Sequence, residues 1–177
     1  MLLKFLKNQH WLINLVIKSI SLIPTEVIHN VSKTIFLKKV FFISNFEKVE
    51  GDYVEFGVYE GSSLLAAYSS NKSNNKNNFH QKKKSMKRNF FGFDNFETGF
   101  VTLSDKDKHP QWSDGSLNSD YKKTIKRLKK FTGGKITGSK VITKHGDIEL
   151  IKGNVEDTIP NLDKNKIKQI SVVLFDL

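Results

Sequence analysis

The run Val54-Glu55-Phe56-Gly57-Val58-Tyr59-Glu60-Gly61-Ser62-Ser63-Leu64 constrains this chain more than any other stretch. Tyr53 to Phe56 is short and apolar enough for a buried strand. Gly57 and Gly61 follow at a spacing that suits a tight turn, permitting backbone angles and close approaches that a Cβ would block. Ser62 and Ser63 then open a helix whose first N–H groups have no partner within it. Strand, glycine turn and helix in this order predict an α/β domain with a binding edge at the strand's end. Taken alone, the turn also fits an ordinary strand–helix connection in any α/β protein.

The residue types narrow the ligand. A dinucleotide turn reads G-x-G-x-x-G and sets a pyrophosphate against the helix N-terminus. This chain reads E-x-G-x-x-x-G, with one glycine fewer and a carboxylate, Glu55, at the strand's end. That carboxylate repels a pyrophosphate and suits an ammonium group. It favours a ligand with an amino-acid moiety, such as S-adenosylmethionine, over NAD. Acids are depleted from strands, so Glu55 itself invites a ligand explanation.

Three further apolar runs follow: Asn89 to Asp94, Ile148 to Ile151, and Ile170 to Asp176. In a doubly wound sheet the second strand lies beside the first, so Asp94 falls at the same edge as Glu55. A carboxylate there can accept hydrogen bonds from both hydroxyls of a ribose. Asp94 followed by Asn95 also reads as the start of a turn. The third run leads into Lys152-Gly153-Asn154, where Asn154 is a turn residue or a ligand neighbour with equal claim. Polar groups collected at strand C-termini mark the ligand edge of an open α/β sheet.

With these pieces in order, the chain resembles the class I S-adenosylmethionine-dependent methyltransferases, and within them the macrocin O-methyltransferase (TylF-type) family. The resemblance rests on Gly51 to Ser63, on Phe91-Gly92-Phe93-Asp94-Asn95-Phe96-Glu97, on Gly153-Asn154-Val155-Glu156-Asp157-Thr158-Ile159-Pro160, and on Ser171 to Leu177. It covers about the last two-thirds of the chain. It implies a Rossmann-like three-layer α/β/α fold over residues 51–177, preceded by a helical extension over residues 1–50 that acts as a lid or dimer contact. It implies that Glu55, Gly57 and Gly61 line the methionine part of the cofactor, with Tyr59, Ser62 and Ser63 also among the cofactor-binding residues. Asp94 and Asn95 then fall at the ribose, Asn154 near the adenine, and Asp176 at a magnesium ion as the first acid of a D-x-D-x-Y segment. The implied reaction is methylation of a hydroxyl on a sugar or glycosylated small molecule. Leu177 interrupts the D-x-D-x-Y segment, so the expectation is an N-terminal fragment, truncated after its fourth strand and inactive alone, with no catalytic base to assign.

Composition adds limits. There is no cysteine, which excludes disulfides and thiolate metal sites and fits a cytoplasmic protein. The five histidines show no metal spacing. The net charge of +11 raises a nucleic-acid-binding protein or RNA methyltransferase as the alternative. Against nucleic acid, only Arg88 and Arg127 are arginines, the residue that phosphate and base recognition favours. The lysines also have ordinary places: a polar loop from Asn71 to Arg88, and the solvent side of a helix N-capped by Ser119. That helix buries Tyr121, Ile125 and Leu128 and stops at Gly133-Gly134. The loop from Thr98 to Asn118, with Phe100, His109 and Trp112, reads equally as a cover for the site or as an irregular surface loop. Leu2 to Ile23 is interrupted by polar residues and is too short an apolar run for a membrane span. It reads as an amphipathic helix ending at Pro24, with Thr25 to Phe42 forming one or two more. These helices suggest a homo-oligomer contact, with a membrane-surface role as second choice.

Overall fold

The computed structural model describes residues 10–76, 86–100, 105–108, 110, 113–163 and 165–176. Six strands form one sheet: β1 (Asp52–Phe56), β2 (Phe90–Asp94), β3 (Lys135–Thr137), β4 (Lys140–Ile142), β5 (Ile148–Lys152) and β6 (Ile170–Phe175). Their order is β3-β4-β5-β2-β1-β6. The run β5-β2-β1-β6 is parallel, and a β3–β4 hairpin adds antiparallel strands to the free side of β5. The helices are α1 (His10–Ser21), α2 (Thr25–Phe46), α3 (Ser62–Lys76), α4 (Tyr121–Thr132) and α5 (Val155–Thr158).

Strand alternation sends two residue sets to opposite faces. Tyr53, Phe90, Ile148 and Leu150 meet Leu37 and Phe41 of α2, Leu64 and Tyr68 of α3, and Ile125 and Leu128 of α4 in the main core. Val54, Phe91 and Phe93 point the other way, against Phe56, Ile151, Leu162 and Ile167. Phe93, Phe56 and Phe175 stack in a row on that second face, at 5.1 Å for each step. Ile170, Val173 and Phe175 of β6 are exposed. This strand is the outer one on that side of the sheet.

Thr25 to Phe42, read as one or two helices, is one helix that continues to Phe46. Helix α1 has no buried residue and presents apolar side chains such as Trp11, Leu15, Val16 and Ile20 to solvent. Other expectations need correcting. Asp120, not Ser119, caps α4: its side chain accepts from the Lys123 N–H at 2.9 Å, while Ser119 is buried one residue earlier. The left-handed Gly133 closes that helix as expected. Asn71 does not begin a loop, because α3 carries it inward to full burial. Arg88 is not a surface lysine-cluster neighbour either. It is 1% exposed and donates to Gly51 O, Val49 O, Ser44 Oγ, Asn45 Oδ1 and Ser171 Oγ. Five acceptors engage the two terminal NH2 groups, which offsets much of the cost of its burial, while the buried Nε–H has no hydrogen-bond partner.

Candidate functional site

The parallel strands bring their C-terminal ends to one edge, as the register shows. Glu55 lies between Gly92 of β2 and Leu174 of β6, and Asp94 faces Lys152 of β5. Just beyond, the Gly57 N–H donates to Phe93 O and the Asp176 N–H to Phe56 O, each pairing a neighbouring strand end. The carboxylates predicted for this edge are therefore gathered there, and each has a distinct environment.

Glu55 is fully buried beneath the start of α3. Tyr53, two residues back on the same strand face, donates its hydroxyl to Oε2 at 2.7 Å, and Ser63 donates to Oε1 at 2.5 Å. Burial pushes the Glu55 carboxyl up to about 7, against the pull of the two hydroxyls and of Lys33. The same burial, with Glu55 beside it, drives the Tyr53 hydroxyl well above its ordinary range, so it remains a donor.

The turn that follows takes left-handed backbone angles where the sequence places its glycines, and its strain falls on Tyr59. Gly57 has φ 85° and Gly61 φ 81°, and Tyr59, between them, adopts φ 51°. Asp94 holds this turn in shape. Its Oδ2 accepts from the backbone N–H groups of both Val58 and Tyr59 at 2.7 Å, and Oδ1 accepts from Phe96 N–H. The Asp94 carboxylate thus already takes three donors, leaving limited acceptor capacity for a ribose. Asn95 is spent similarly, donating from Nδ2 to Gly99 O at 3.0 Å.

Gly61 serves packing as well as backbone shape. A Cβ there would lie 3.2 Å from Leu128 and 3.4 Å from Thr124, so α4 seats directly on the glycine turn. Arg127 of α4 completes the seat, donating to Glu60 O at 2.8 Å and to Ser62 Oγ at 3.1 Å. Ser62 is thus engaged from outside the helix and Ser63 from beneath it.

Asn154 is exposed and stands at the start of α5, where its carbonyl accepts from Asp157 and Thr158; its side chain makes no capping bond. Lys152 pairs with Glu97 across the ends of β5 and β2. Asp176 forms an ion pair with Lys33 of α2. Among the described residues, no three acidic or histidine side chains come together to hold a metal ion. In the Thr98–Asn118 loop, Phe100 and Ser116 bond backbone to backbone at 2.6 Å, while His109 and Trp112 lie outside the described residues.

Tyr53, Lys33 and Arg127 are the members of this edge that the sequence reading missed. Tyr53 was within reach, since the two-residue period of a strand puts it on the Glu55 face. Lys33 and Arg127 come from distant helices and carry no local signal.

Neither a family model nor a curated protein sequence matches the chain. Solved structures do. The calicheamicin methyltransferase CalS11 aligns over 99% of this chain and 64% of its own, with TM-score 0.58 and 22% identity. The O-methyltransferase NovP aligns over 81% of this chain and 52% of its own, with TM-score 0.55 and 13% identity. The chain thus spans roughly half to two-thirds of their lengths. Identities this low speak to architecture, and the architecture agrees with the strand order and turn described above: the chain has the Rossmann-like α/β fold of the class I methyltransferases.

Proposed function

We propose that this chain supplies the cofactor-binding part of an S-adenosylmethionine-dependent O-methyltransferase of the macrocin (TylF) type, acting on a hydroxyl of a sugar or glycosylated small molecule. The observation that carries the reading is the unit of β1, glycine turn and α3 with an acid, Glu55, enclosed under it. Its surroundings fit the cofactor: two positive-φ glycines open the backbone, the N-terminus of α3 faces the edge, and acids stand at the ends of β1, β2 and β6. The acid-rich edge opposes a pyrophosphate, which argues against a nicotinamide dinucleotide. When bound, S-adenosylmethionine supplies an electrophilic methyl group on a sulfonium.

The residues have separable tasks. Glu55, set by Tyr53 and Ser63, provides the negative potential an ammonium group needs. Asp94 fixes the turn through Val58 and Tyr59, and its one remaining acceptor site, on Oδ1, is left for a ribose hydroxyl. Asp176, read from the sequence as a magnesium ligand, is held by Lys33 and joins no cluster of three acids or histidines among the described residues, which does not fit a magnesium site. Methyl transfer is an in-line displacement, so holding the partners in place is the main demand on the protein. Supporting the oligomer reading, α1 and α2 expose Trp11, Ile17, Val27, Val31, Ile35, Phe42 and Phe46, a surface suited to a second copy.

Calorimetric titration tests the cofactor reading. S-adenosylhomocysteine should bind the folded chain, NAD should not compete, and Glu55→Ala should abolish the binding. Folded protein that ignores S-adenosylhomocysteine would sink the proposal.

A further inference from the structure

One half-open ion pair stands at the ligand edge with its positive member supplied from outside the sheet. Lys33 of α2 lies one helical turn before Leu37, on the face that Leu37 and Phe41 bury in the main core. An aliphatic residue would serve packing there, and a lysine is costly to bury without a partner. The partner is Asp176, 143 residues later in the chain. The Asp176 N–H donates to Phe56 O at 2.9 Å, which sets the pair at the ends of β1 and β6, next to Gly57. The two side chains are 17% and 34% exposed, so both charges are held firmly and both remain accessible from the edge.

We propose that Lys33 is a binding residue of this edge and that the Lys33–Asp176 pair receives the zwitterionic amino-acid end of the ligand. The ligand's carboxylate takes Lys33, its ammonium takes Asp176, and α2 becomes a wall of the site. This rests on the S-adenosylmethionine reading, under which Asp94 meets the ribose and Asn154 lies by the adenine. Asp94 ends β2 and Asn154 follows β5, while the parallel strands run β5-β2-β1-β6. A cofactor laid along these ends in that sense brings its amino-acid end to β1 and β6, where the pair stands. The edge's other lysine, Lys152, is at the opposite end with Glu97, and Arg127 is engaged by Glu60 and Ser62. The Lys33 ammonium has three N–H donors and Asp176 uses one of them, so a second carboxylate can be held without breaking the first pair. A zwitterion then sets each of its charges against an opposite one, whereas an anion with no ammonium meets Asp176 unbalanced.

Calorimetry on the whole chain tests this with two ligands: S-adenosylhomocysteine and its decarboxylated analogue, which keeps the ammonium and lacks the carboxylate. Wild type should hold S-adenosylhomocysteine about tenfold tighter than the analogue. Lys33→Met keeps the length of the stem and removes the charge. It should weaken S-adenosylhomocysteine about tenfold without weakening the analogue, and Lys33→Arg should keep the wild-type preference. Equal weakening of both ligands in Lys33→Met, or no change in either, would overturn the assignment of the carboxylate to Lys33. Equal affinity of wild type for the two ligands would overturn it without any variant, while leaving the cofactor reading intact. Wild type that binds neither ligand refutes the cofactor reading, and the role of Lys33 falls with it.

Discussion

Replacing Glu55 by glutamine should stabilise the fold while removing cofactor affinity. The carboxyl is fully buried, and burial raises it to about 7 from the 4.5 of an unstructured glutamate. The sign follows from proton counting. Below pH 4.5 both folded and unfolded forms are protonated and nothing is lost. Between 4.5 and about 7 the unfolded chain ionises while the folded one holds its proton, so stability falls as pH rises. Above 7 the loss is complete. For this shift the loss is about 1 kcal/mol at pH 5 and about 3 kcal/mol at pH 8. Glutamine carries no charge at either pH and retains one carbonyl acceptor, while its amide can donate to the oxygen of Tyr53 or Ser63. Urea denaturation at both pH values reads the effect directly. The variant should gain little at pH 5 and roughly 2 kcal/mol more at pH 8 than at pH 5. Equal gains at the two pH values, or destabilisation that grows with pH, would refute the argument that Glu55 is a strained, desolvated acid. Loss of S-adenosylhomocysteine binding in the same variant would show what the strain serves.

Other perturbations probe the frame around this acid. Gly61→Ala must place a Cβ at φ 81° and 3.2 Å from Leu128, so thermal melting should report a loss of about 1–2 kcal/mol; an unchanged melting temperature would show that the turn is not held as described. Arg88→Leu abandons the carbonyls of Gly51 and Val49 and the side chains of Ser44, Asn45 and Ser171, and urea denaturation should register a loss of about 3 kcal/mol or more. Val31→Glu puts a charge in the exposed apolar row of Val27, Val31 and Ile35. By light scattering, wild type should be a dimer and the variant the 20.3 kDa monomer, and a monomeric wild type would refute self-association through α2.

The central sheet was legible because its strands are short apolar runs with acids or glycine at their ends. All four appear at the expected places, from Asp52–Phe56 to Ile170–Phe175. The β3–β4 hairpin was missed although Lys135-Ile-Thr and Lys140-Val-Ile flank a two-residue Gly138-Ser139 turn, with Gly138 at φ 60°. Three-residue strands that each begin with a lysine carry too little apolar period to stand out beside a lysine-rich helix. The misreading of Arg88 has a different cause. Local polarity argued for solvent, while the acceptors that enclose the side chain come from α2, the segment before β1, and β6. The site divides similarly. Glu55, Ser63, Asp94 and the glycines follow from one contiguous motif and one strand end. Lys33 and Arg127 reach the edge only through tertiary packing, which no window of sequence contains.

The same geometry favours the proposed cofactor reading over a nucleic-acid surface. Helix α4 seats its Thr124 and Leu128 against Gly61, so Lys122, Lys123, Lys126, Lys129 and Lys130 are left exposed on its other sides. The ligand edge has the opposite character. Glu55, Asp94 and Asp176 lie there, and the lysines that reach it, Lys33 and Lys152, are already paired with Asp176 and Glu97. A phosphate backbone brought to the strand ends would meet carboxylates, while one held by the α4 lysines would be kept away from the glycine turn. Among the described residues, the α4 lysines thus lie on the periphery, where solvated lysines are worth little in binding unless they converge. What converges in this fold is acid, at the strand ends around the glycine turn. That arrangement calls for a ligand with a positive centre, which an S-adenosylmethionine has in both its ammonium and its sulfonium groups and a nucleic acid backbone lacks.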